Sequence, residues 1–166
     1  MTQCSPFEII YRTVVFSRLA PYVILLDVAN IQRFCPLISM SVPWRWVAPK
    51  ATSKVCFIAF VEDGAAVFFD KFMDESNPLS LNFRLLKRRR RFHNIYLPSG
   101  KDAGDIAILQ TSALLWSHPQ VDRVGVVTDD LNETVALEML FPSSFLQCYT
   151  TDRCSTLLDP LSDHSD

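Results

Sequence analysis

Glycine is scarce: this chain of 166 residues has four. No G-x-G-x-x-G and no Walker-type loop follows any of its apolar runs. Those loops need glycine where backbone approaches phosphate, so no nucleotide cofactor of the Rossmann or P-loop kind is expected. Cysteine is present but unpatterned. Cys4, Cys35, Cys56, Cys148 and Cys154 form no C-x-x-C pair, and His93, His118 and His164 stand far apart. Neither a zinc site nor a disulfide framework is indicated, and the cysteines read as reduced core fillers. Long apolar runs are missing too. The longest, Leu19 to Leu26, falls well short of the ~20 residues of a membrane span, so no membrane contact is expected. The start, MTQCSPFEIIYR, lacks the basic first region and small-residue cleavage site of a secretory signal. Arg12 and Arg18 against the single Glu8 echo a mitochondrial presequence. The expected compartment is intracellular, cytoplasm or nucleus, with the mitochondrion as the alternative.

What is plentiful is apolar surface and unevenly placed charge. Hydrophobic residues make up 49% and mean hydropathy is +0.15, enough for one domain with a core and some apolar surface left for a protein partner. Net charge is only −2, yet residues 1–101 hold 14 of the 16 Lys and Arg against seven acids, while residues 102–166 hold two against 11. Such asymmetry points to a polyanion-binding side and an acidic side. The densest charge is Lys87, Arg88, Arg89, Arg90 and Arg91, with Arg84 before it. One reading is contact with the phosphate backbone of RNA. The other is a solvated helix C-terminus, where cations are favoured in any case. Five consecutive basic residues exceed what capping needs, which favours the polyanion.

Apolar runs at YVILLDVAN and KVCFIAFV read as buried strands, FHNIYLP as a third core strand, and VDRVGVVT and FLQCYT as a fourth and a fifth strand. EDG at 62–64 reads as a turn, with AAVFFDKF returning as a hairpin strand. Three segments read as helices. NPLSLNFRLLKRRRR starts near Pro78, with Leu79, Leu81, Leu85 and Leu86 inward. KDAGDIAILQTSALLWS carries Ile106, Leu109, Ala113 and Trp116 on one inward stripe. NETVALEMLF stops at Pro142. PWRWVAPK reads as a loop whose Trp44 and Trp46 plug a core or anchor an interface, with base stacking around Arg45 the alternative. His93 reads as packed within its strand rather than as a base. Alternating strands and helices predict an α/β fold with a single doubly wound, mainly parallel sheet and flanking helices.

On such a sheet the acids gather. Asp27 ends the first strand, Asp102 and Asp105 open the helix after FHNIYLP, and Asp129 and Asp130 follow VGVVT. All fall on the edge where open α/β folds place their sites. Clustered carboxylates repel one another unless a cation neutralises them, and hard oxygen ligands favour Mg²⁺ or Mn²⁺.

The three motifs resemble those of PIN-like ribonucleases of the NYN type. LLDVAN is similar to their strand ending in Asp, two residues and Asn. KDAGDIAIL is similar to their helix opening with Lys-Asp, two small residues and Asp. VGVVTDD is similar to their strand ending in Ser or Thr, one residue and Asp. The resemblance implies a PIN-like NYN domain over 22–150, between an N-terminal extension at 1–21 and a tail at 151–166, whose last stretch LLDPLSDHSD reads as loosely held. It makes Asp27, Asp105 and Asp130 the catalytic metal ligands for Mg²⁺ or Mn²⁺. Asn30 would orient Asp27 or touch the substrate, and Asp102 and Asp129 would support these groups or face solvent. The family has a further Asp after the third motif. Here Asn132 and Glu133 stand there, and Glu133 is expected to point elsewhere. Two functions stay open: a metal-dependent ribonuclease, and an inactive PIN-like module serving as an RNA-binding or structural subunit of a larger assembly.

Overall fold

The computed structural model describes residues 5–31 and 54–157. PWRWVAPK, with both of its tryptophans, lies outside them, as do the tail after Leu157 and the side chain of Leu79. Five strands form one sheet: β1 (Tyr22–Asp27), β2 (Val55–Glu62), β3 (Phe92–Leu97), β4 (Arg123–Val127) and β5 (Leu146–Tyr149). Their order is β3-β2-β1-β4-β5, and every neighbouring pair is parallel. Five α-helices accompany them among the described residues: α1 (Pro6–Phe16), α2 (Asp63–Phe72), α3 (Leu81–Arg88), α4 (Ala103–Trp116) and α5 (Leu131–Leu140). This is the α/β, Rossmann-like arrangement expected from the alternation of strands and helices.

The central strands form where they do because they are covered on both faces. All six residues of β1 are buried, so an unbroken apolar run suits it better than alternation. The pleat sends Tyr22, Ile24 and Leu26 into the core under α2 and α3. Val23 and Leu25 enter the core beneath α1, α4 and α5. Ser5 caps α1 by accepting the Glu8 N–H at 3.2 Å, and Pro6 opens the first turn. Ile10 and Val14 then join the second core, so residues 6–16 are packed into the domain.

Three local expectations are corrected. AAVFFDKF is the helix α2, with Phe69 and Phe72 buried and Val67 and Phe68 exposed. A returning strand has no place, because β2 is flanked on both sides by the parallel strands β1 and β3. The inward stripe of α4 is the opposite one. Ala107, Ile108, Thr111, Ser112 and Leu115 are buried, whereas Ile106, Leu109 and Trp116 are exposed. The helix is apolar all round, so hydrophobic periodicity could not choose its face. In α3 the buried residues are Phe83 and Leu86, while Leu81 is exposed. Phe83 is drawn in by an aromatic cluster, 5.3 Å from Phe92 and 5.7 Å from Phe57 between ring centres.

The end of α3 carries strain. Arg90 has φ +58°, the left-handed region normally left to glycine. Its N–H donates to the Lys87 carbonyl at 3.0 Å, and the Arg91 N–H donates to the Leu86 carbonyl at 2.8 Å, the two bonds of a Schellman turn. Left-handed backbone costs a side-chain-bearing residue ~1–2 kcal/mol, and glycine's extra chain entropy offsets ~0.5–1 of that. Arg90→Gly is therefore expected to raise stability by about 0.5–1 kcal/mol, read as a higher urea midpoint at constant slope. Arg90→Ala keeps the left-handed strain while removing the charge, so an equal gain there would mean that charge relief, not backbone, is responsible.

Candidate metal centre

Parallel pairing brings the carboxyl ends of all strands to one edge. β1 sits where the chain order reverses, with β2 on one side and β4 on the other, the switch point at which open sheets leave a crevice. Asp27 ends β1 at this point and is 1% exposed. Register pairs Leu26 with Val127, so the next residue of the β4 segment, Thr128, comes alongside Asp27. The Thr128 hydroxyl lies 3.2 Å from Asp27 Oδ2 and 3.1 Å from Glu133 Oε2 and can donate its one proton to either. Asn30 holds the same Asp27 oxygen from the other side, its Nδ2 donating at 2.9 Å.

The helices after β3 and β4 point their N-termini at this edge and supply the remaining acids. Asp105 lies in the first turn of α4 and Glu133 in the first turn of α5. One carboxylate oxygen each from Asp27, Asp105 and Glu133 falls within 4.8 Å of the others. Two oxygens on opposite sides of one Mg²⁺ are about 4.2 Å apart, so the trio fits a divalent cation after a slight inward movement. Glu133 is 5% exposed, and its Oε1 is buried without a hydrogen-bond partner. An orphaned buried carboxylate oxygen is costly, and a cation would satisfy it.

Four more residues shape the edge. Glu62, the last residue of β2, accepts the Gly104 N–H at 3.0 Å. A Cβ at Gly104 would stand 3.1 Å from both Asp27 Oδ1 and Glu62 Oε1, so glycine is what lets the end of α4 approach the carboxylates. Asp102, just before α4, is exposed with φ +61°. Asp129 accepts from the Thr151 N–H and hydroxyl at 2.9–3.0 Å and so ties down the segment after β5.

The expected ligands thus meet different fates. Asp27 and Asp105 come together, and Asn30 orients Asp27. Asp130 lies on the same edge, where its Oδ1 accepts the N–H groups of Asn132 and Glu133 as the N-cap of α5. Glu133, expected to point elsewhere, is the third member of the trio. Its position three residues after an N-cap Asp is that of a capping box, in which the glutamate folds back to the cap's own N–H. Here the Thr128 hydroxyl takes that N–H from Asp130 at 3.1 Å, and Glu133 is left to turn inward.

Lys87 to Arg91 lie at the other edge of the sheet, at the end of α3 and just before β3. The length of β3, six residues or ~20 Å, separates that edge from the acids. Arg88 approaches Glu75 at 3.9 Å, and the Arg91 guanidinium donates to the Arg18 carbonyl at 3.3 Å. His93 is half-buried near the same edge, and burial first, then Arg91, pushes its pKa down. Among the described residues no helix is long and apolar enough to cross a membrane.

Compared with protein families, curated proteins and solved structures, the chain matches none.

Burial and charge crowding raise the pKa of two of these acids, Glu133 and Asp105. Burial, then hydrogen bonding and proximity to Asp27 and the charge of Asp105, push Glu133 up from an ordinary 4.5 to about 10. Asp105 is also raised, by burial and by the charges of Asp130, Asp27 and Asp102, although its contact with Glu133 works the other way. Below pH 4.5 the glutamate is protonated whether the chain is folded or not. Above it the unfolded chain releases the proton while the fold keeps it. With EDTA present, stability is therefore expected to fall as pH climbs from about 4.5 towards 10, with a slope of up to one proton. Glu133→Gln should flatten that fall; urea midpoints between pH 5 and pH 9 for both proteins measure it.

Proposed function

We propose that this chain is a PIN-like, Mg²⁺- or Mn²⁺-dependent ribonuclease. The observation that carries the reading is the meeting of Asp27, Asp105 and Glu133 at the switch point of a parallel sheet, with oxygens within 4.8 Å. The order of the three motifs along the chain and the oxygen-only donor set support it, since hard cations and phosphodiester hydrolysis go together. A bound divalent cation would supply a water of lowered pKa and offset the charge growing on the attacked phosphate.

The chain's own residues have distinct tasks. Asp27, Asp105 and Glu133 would hold the cation, and Asn30 and Thr128 keep Asp27 in one orientation. Asp105 is the most open of the trio, so substrate would approach from its side. The N-termini of α4 and α5 favour negative charge at this edge, whether of carboxylate or of phosphate. In such a hydrolysis a water oxygen would bond to phosphorus as the P–O bond to the leaving ribose oxygen breaks, the water's proton passing to solvent and the leaving oxygen taking a proton from solvent. Glu133, protonated in the metal-free fold, would give up that proton to hold a cation.

Two tests follow. Wild type should cleave labelled single-stranded RNA with Mn²⁺ and not with EDTA. Asp105→Asn should lower cleavage by at least 100-fold, on the order of 3 kcal/mol of transition-state stabilisation, while RNA affinity changes little. Silence of the wild type with Mn²⁺, combined with firm RNA binding, would replace this reading by that of an inactive RNA-binding module. The second concerns the basic run. Because it stands ~20 Å from the acids, RNA long enough to span the sheet should lose affinity when Arg88 to Arg91 are neutralised, with the salt slope flattening by ~0.7 per lost phosphate contact. Oligonucleotides too short to span should be unaffected. Equal loss for short and long RNA would show that the run acts on the acidic site itself.

A further inference from the structure

We infer that the layer formed by α1, α4 and α5 is the interface of a homodimer. Among the described residues, 11 of the 15 exposed large hydrophobic residues lie on these three helices, which cover one face of the sheet. On α4 they are Ile106, Leu109 and Trp116, 52%, 39% and 52% exposed. On α5 they include Leu131, Val135 and Met139, spaced four residues apart and 68%, 57% and 81% exposed. A residue every fourth position falls on one side of a helix, so these form a stripe. On α4 the inner side, with Ala107, Ile108 and Leu115, is apolar as well, and a helix apolar on both sides is one whose outer side is also covered.

The occupant follows from charge and area. The sole charged residue of α4 is Asp105, drawn into the acidic site, which leaves the outer side of that helix uncharged. The exposed charges of α1 and α5 within the helices are Glu8, Arg12 and Glu138. A face this close to neutral meets its own copy without repulsion and offers no field to select a charged partner. It also lacks the row of Lys and Arg that a membrane-surface helix carries. The exposed apolar side chains of the three helices present on the order of 1,000 Å², above what a monomer keeps open and enough for the ~800 Å² per partner of a standard interface. The cover is therefore assigned to a second copy.

The test uses the full chain with reductant, by light scattering after size exclusion and by sedimentation, at tens of micromolar. That lies above the micromolar Kd of the weakest interfaces of this size. Wild type should show twice the 18.9 kDa mass of one chain. The double variant Leu109→Glu, Val135→Glu should run as a folded monomer, with unchanged far-ultraviolet dichroism. Val67→Glu, the same change on the opposite layer, should remain dimeric. A monomeric wild type, or a dimer indifferent to the double variant, overturns the inference. Should the double variant not fold, hydrogen exchange of the wild type decides. Protection of the amides of α4 and α5 that rises with protein concentration supports the dimer, and protection that does not change overturns it.

Discussion

Three carboxylates held within 4.8 Å of one another at an edge nearly closed to water cannot all keep full charge. Much of the architecture around β1 can be read as accommodation of that constraint. Two helix N-termini aim their positive ends at the cluster. Thr128 and Asn30 hydrogen-bond Asp27, and Gly104 removes the one side chain that would stand between Asp27 and Glu62. What remains uncompensated is the buried Glu133 Oε1. A proton relieves it up to about pH 10, and a divalent cation would take that proton's place. Structure and proposed chemistry thus meet in the same deficit of positive charge.

The densest positive charge among the described residues is not spent there. Lys87 to Arg91 crowd the opposite edge of the sheet, and a left-handed Arg90 is tolerated to turn the chain into β3. With acids at the carboxyl ends of the strands and bases before β3, the molecule is polarised along the strand direction. The uneven charge of the linear sequence survives folding because every strand runs the same way. In an antiparallel sheet the same residues would have been mixed between both edges.

The alternation of strands and helices was legible because buried parallel strands are continuous apolar runs, as β1, β2 and β4 are, while the edge strands β3 and β5 keep a shorter apolar signal. The placement of Asp27 and Asp105 was legible for a related reason: in a parallel sheet, the end of a strand and the start of the following helix share an edge. Three things were hidden. AAVFFDKF is apolar enough for either element, and only the parallel neighbours on both sides of β2 made it a helix. The inner face of α4 was illegible because both faces are apolar. Glu133 was hidden because its local pattern is that of a cap, and the competing donor came from Thr128, outside that pattern.

By itself, the sequence determined the class of fold, the edge on which acids collect and the opposite sign of its two halves. These depend on hydrophobic runs and on order along the chain, which are local properties. Tertiary structure alone decided which acids touch, which face of α4 is buried and how far the basic run stands from the acids. Those are distances between segments remote in sequence, set by strand order, register and the competition of neighbouring groups for the same hydrogen bonds.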